Sequence, residues 1–234
     1  MSRETERILR ELEKHLSGKE INNDIEYQKA VDEFMMIHNS KAPKKRGRDA
    51  WDYLDMAYEA DSDQEALKYA QKALQLDKDC IDAEVMIAEL TTEGGEELKL
   101  IYENLIAKTE KRLKEKDVLN DENIGHFWGI VETRPYMRLR FAYMQHLIDQ
   151  GKLRKAVKEC EDLLLLSEND NLGVRYILIS LYAFFEDEIN VNKLYKKFDY
   201  ESSVHMLLPI VALYYKLDNY KKAELYLKKT GQSN

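Results

Sequence analysis

The residues that could do chemistry in this chain form a short inventory. His15, His38, His126, His146 and His205 are scattered, and no pair has the four-residue spacing that puts two imidazoles on one helix face for a metal. Cys80 and Cys160 have no histidine beside them in sequence, and each lies on or beside an apolar stripe of a predicted helix. Two buried, reduced thiols are the expectation. No Gly-rich phosphate loop and no nucleophile elbow is present. This inventory predicts no enzyme, no metal and no cofactor.

The segment His126–Arg140 is where binding chemistry concentrates. It holds Phe127, Trp128, Gly129 and Glu132, then Arg134, Pro135, Tyr136, Arg138 and Arg140. Pro135 fits the first turn of a helix, where its missing N–H costs nothing. Arg134 and Arg138 are then four apart on one face, and Tyr136 and Arg140 on another. A guanidinium fork suits a carboxylate or phosphate, and an adjacent ring adds a stacking surface. The candidate partner-binding residues are therefore Trp128, Arg134, Tyr136, Arg138 and Gln145, with Arg175 reaching in from the next repeat. The alternative is structural: Glu132 and neighbouring acids pair with these arginines and brace an irregular loop.

Helices must position this segment. Three prolines and nine glycines in 234 residues leave few breaks in a chain rich in Lys, Glu, Leu and Ala. Small residues open a second helix after a polar turn at Ala66, Ala156 and Ala223, and 156 to 223 is 67 residues, close to two periods of about 34. Val191 lies near the midpoint, and a large residue recurs upstream as Tyr58, Leu147, Tyr182 and Tyr214. Three consecutive hairpins from about residue 135 to the end follow. The 90 residues from 66 to 156 fit one enlarged repeat at about 81–125: a helix over Ile81–Thr91, a Gly94-Gly95 turn, a long helix to near Lys116, and a polar loop. Amphipathic patterns over Glu4–Leu16 and Asp24–His38 predict an N-terminal capping hairpin, residues 1–40, and 41–48 reads as a basic linker before the array 49–234.

Trp51, Leu54 and Tyr58, followed by Ala66, Ala70 and Ala73, resemble one tetratricopeptide (TPR) repeat. The resemblance extends from Asp49 to Asn234, with Asp55 where the family has glycine and Lys78 where it has a closing proline. His126–Arg138 together with Asn169–Tyr176 resembles the bacterial TPR proteins similar to suppressor of tumorigenicity 7. The fold it implies is an all-α, right-handed superhelix of stacked TPR-like helical hairpins, five or six in number, and the role it implies is interaction with a protein or peptide partner. Asp49, Asp52 and Met56 on the groove side of the first repeat would repel a carboxylate tail.

Net charge is −8, and no aromatic residue interleaves Lys41, Lys44, Lys45, Arg46 and Arg48, so no nucleic-acid partner is expected. The longest apolar runs, Tyr176–Phe185 and Met206–Tyr215, are about half a membrane span. With a charged N-terminus that lacks a signal-peptide core, the expectation is a cytoplasmic protein without a membrane partner. The expected function is a non-enzymatic adaptor binding a protein or peptide in a concave groove. The alternatives are a homo-oligomer, favoured if Leu225 and Leu227 are exposed, and a sensor of a small anion or signalling peptide.

Overall fold

Helix-stop signals recur through this chain, and they explain where its elements end. In the turns after residues 149, 184 and 216, Gly151, Glu186 and Asp218 take positive φ values of 68°, 60° and 56°. The next residue's N–H then reaches back five positions: Lys152 to Leu147 O (2.8 Å), Asp187 to Tyr182 O (2.9 Å) and Asn219 to Tyr214 O (2.8 Å). This left-handed cap ties off carbonyls that a helix end leaves open. The recurrent large residues at 147, 182 and 214 supply those carbonyls and also bury their side chains.

The structure is a computed structural model and describes residues 3–40 and 48–231. Among them the chain is all-α, with twelve α-helices, two 3-10 turns and no strand. No described helix is long and apolar enough to cross a membrane. Apart from Arg48, the basic linker lies outside the described residues. The chain divides into two compact units, Met1–Glu93 and Gly94–Asn234. The division falls within the span predicted as one array, at Gly94 and Gly95, both with positive φ.

The first unit contains α1 (Arg3–Ser17), α2 (Asp24–Ser40), α3 (Ala50–Tyr58), α4 (Asp63–Leu76) and α5 (Ile81–Thr91). Its core is Leu54 with Ala50, Ala57, Ala70, Ala73, Ala83 and Cys80. Alanines at the contacts let α3 and α4 approach closely while Trp51 and Tyr53 pack at the margin. Asp49 accepts from the amides of Trp51 and Asp52 at 3.0 Å, and Asp52 accepts from Asp49 N–H at 2.9 Å. The predicted acidic groove face is thus a reciprocal helix cap, and Asp52 also pairs with Arg7 at 3.2 Å.

The second unit contains α6 (Gly95–Glu115), 3-10 turns at Phe127–Gly129 and Val131–Thr133, α7 (Arg134–Asp149), α8 (Leu153–Leu166), α9 (Val174–Phe184), α10 (Glu188–Lys197), α11 (Val204–Lys216) and α12 (Tyr220–Thr230). The three hairpins expected beyond residue 135 are α7–α8, α9–α10 and α11–α12. Tyr176 meets His205 near the starts of α9 and α11, with ring centroids 5.6 Å apart, and Lys216 Nζ donates to Phe184 O (2.8 Å) near their ends. These helices therefore run parallel. Lys222 pairs with Glu188 (3.0 Å) and Tyr226 meets Tyr195, which sets α12 alongside α10 in the same sense. The last two hairpins therefore lie side by side in the same sense. Pro209 sits inside α11, where it removes the amide that would reach back to exposed His205.

Candidate functional site

α7 carries most of the predicted site, and its sequence shows why it lies where it does. Tyr136, Tyr143 and His146 recur at helical spacing and face α6. Tyr136 donates to Glu110 (2.7 Å), Tyr143 donates to Glu103 (2.8 Å), and His146 Nε2 meets Gly95 O (2.8 Å). The partners descend along α6 as the donors ascend α7, so the two helices are antiparallel. Burial raises the pKa of both tyrosines, and their acceptor carboxylates add to the effect.

On the α8 side Arg140 donates through Nε and Nη2 to Glu159 (2.9 and 2.7 Å) and through Nη2 to Asp162 (2.9 Å), and it also reaches Tyr136 Oη (3.3 Å). Burial works against the Arg140 charge, but Tyr136 and these carboxylates hold its proton more tightly than usual. Burial raises Glu159 despite Arg140 beside it. The strap before α7 is tied equally firmly. Thr133 Oγ1 donates to the carbonyls of Phe127 and Ile130, and Arg134 Nε donates to Trp128 O at 2.9 Å. Glu168 N–H donates to Gly125 O (2.9 Å), joining the strap to the α8–α9 connection.

The predicted residues accordingly separate. Trp128 and Arg134 are together, with the guanidinium 5.7 Å from the indole centroid, but Arg134 is only 3 % exposed. Tyr136, 1 % exposed, is a core residue. Arg175 forms a separate network: Asp170 (2.8 Å) and Glu201 (2.9 Å) take its guanidinium, which lies 4.2 Å from the Tyr176 ring. Asp170 also caps α9 by accepting from the amides of Val174 and Arg175. Arg138 is half-buried, and Gln145, seven residues later on the same face, is exposed. Glu132, which the bracing alternative pairs with the arginines, meets Lys116. Burial pushes the thiols of Cys80 and Cys160 up to about 11 and about 12, so both stay protonated at neutral pH.

A second region offers open space. Gly151, Lys152, Leu153, Arg154 and Lys155 face Phe184 and Phe185 across a cleft of about 620 Å³. Phe184 is 60 % exposed, although it closes an otherwise apolar helix. The comparisons name no relative: neither a family model, nor a curated protein, nor a solved structure matches the chain. Function thus rests on the chain's own chemistry. On α11, which runs parallel to α9, Val204, Leu208 and Tyr215 are left in water at positions i, i+4 and i+11 of one stripe, Tyr215 being 65 % exposed. Sequence reasoning missed this region because its apolar run reads as buried helix. The signal within it was phase: Phe184 falls outside the stripe of Leu178, Leu181 and Tyr182 that packs inward.

Proposed function

We propose that the chain is a non-catalytic scaffold of TPR-like hairpins, wound as a right-handed superhelix, that binds a protein or peptide segment on the outward stripes of α9 and α11. Arg138 and Gln145 of α7 extend that surface. One observation carries the reading: two parallel neighbouring helices leave Phe184, Val204, Leu208 and Tyr215 in water. Exposed apolar groups aligned along one helix face of an otherwise well-charged protein mark an interaction surface. Aromatic groups there supply affinity, and the polar flank supplies register.

The test is peptide selection on the full chain from a random display library, followed by binding to the Leu208→Asp and Tyr215→Ala variants. Both side chains point to water, so thermal melts should match the parent while the selected peptides bind roughly tenfold more weakly. Failure to select any peptide, or equal binding by both variants, would refute the reading. A second reading, self-assembly, is favoured by the exposure of Leu225 and Leu227 on α12. Sedimentation equilibrium separates the two, because only self-assembly makes the mass rise with concentration.

A further inference from the structure

Phe184 and Phe185 meet edge to face, with centroids 5.3 Å apart, at one side of the cleft that faces the first turn of α8. About 620 Å³ accommodates a few side chains of an extended segment rather than a folded domain. Its surroundings are cationic and unequal. Lys152 is neutralised by Glu96, and Lys216, whose ammonium lies 5.5 Å from the Phe184 ring, by Glu186 at 3.1 Å. Arg154 and Lys155 have no carboxylate partner among the described residues. Arg154 instead lies over Phe185, 4.7 Å from its centroid. The first turn of α8 contains no acidic residue and no side-chain cap.

From this geometry we propose that the cleft docks an acidic peptide segment bearing one apolar side chain. The apolar group rests on Phe184 and Phe185, and flanking carboxylates meet Arg154 and Lys155. This rests on the peptide-binding reading above and assigns it a ligand class. Charge complementarity selects the occupant. A basic segment would meet two uncompensated cations, and a neutral one would leave them unpaired. Nucleic acid needs several phosphate contacts along a backbone, more than two free cations in one cleft provide. The arginine over Phe185 keeps a planar fork available for a carboxylate while its stem covers apolar surface.

The probe is a fluorescent pentapeptide with one central leucine flanked by glutamates, compared with its glutamine counterpart, on the full chain at low salt. The glutamate peptide should bind roughly tenfold or more tightly than the glutamine peptide and weaken as salt rises. Both Arg154→Glu/Lys155→Glu and Phe184→Ala should lower its affinity by a similar factor. Acidic side chains in the first turn of a helix are favourable to it, so lost binding in the charge-reversal variant would not reflect a weakened α8. Equal affinity for the two peptides, or binding unchanged in either variant, overturns the proposal. Library-selected peptides separate the two readings. If they bind parent and charge-reversal variant alike, the cleft assignment fails and peptide binding stands. If the chain binds neither the library nor the probe, both fail.

Discussion

Arg140 and Arg154 belong to the same hairpin, α7–α8, and are used in opposite ways. Arg140 is buried and gives its donors to Glu159, Asp162 and Tyr136. Arg154 is exposed, lies over a phenylalanine and has no carboxylate partner among the described residues. The same contrast holds between regions: the His126–Arg140 strap is dense in functional-looking residues and internally satisfied, whereas the cleft is sparse and open. Clustering of arginine and aromatic residues in a sequence therefore indicates where strong interactions are made. It does not indicate whether the other partner is the protein itself or something outside it.

Arg140→Ala should break the comparison most severely, because it leaves Glu159 and Asp162 facing a void in a largely buried site. Losing one partner of a buried ion pair costs about 3–5 kcal/mol, and the midpoint of urea unfolding should fall accordingly. Arg154→Ala should change stability by no more than about 0.5 kcal/mol. Equal losses in the two variants would erase the distinction between bracing and available arginines.

Glu159→Gln sharpens the same contrast through pH. Burial raises the Glu159 carboxyl above the ordinary glutamate value, so the folded state favours its protonated form. Its stabilising contribution is present below the unfolded-state pKa and is lost as pH rises through the raised folded value. The glutamine variant removes that dependence and keeps an acceptor near Arg140. Its cost should therefore be greater at acid than at neutral pH, and at neutral pH less than that of Arg140→Ala. A parent-minus-variant stability difference that stays flat from pH 3 to 7 would show that Glu159 is not held as described.

The helices were largely legible because burial imposes a period on the sequence. α5 spans the expected Ile81–Thr91, and Ala156, Val191 and Ala223 sit in the core where the spacing placed them. Pairings were not legible. Glu110, Glu103 and Gly95 lie 26, 40 and 51 residues from their α7 partners, and no local pattern specifies which carboxylate a tyrosine will meet. The same limit hid Lys116, at the end of α6, as a partner of Glu132. Exposure was hidden for a different reason. Phe184, Leu208 and Tyr215 occupy helices apolar enough to read as buried all round, and only the neighbouring hairpins determine which face remains open.

The smallest expected effect concerns the helix stops, where Gly151 and Asp117 solve one problem with different residues. Asp117 has φ 55°, and the N–H of Val118 reaches back to Leu113 O at 2.8 Å, the same five-residue span used after Leu147. A side chain in this left-handed region costs energy that glycine does not. Asp117→Gly should therefore stabilise the chain by up to about 1 kcal/mol, reduced by the greater freedom of glycine in the unfolded chain. Gly151→Ala should destabilise by a similar amount, because nothing lies within 4 Å of the added Cβ and the backbone angle alone opposes it. Paired urea titrations would test both signs. If both variants were destabilised, aspartate's local polar interactions at 117 would outweigh the conformational cost, and the two stops would not be physically equivalent.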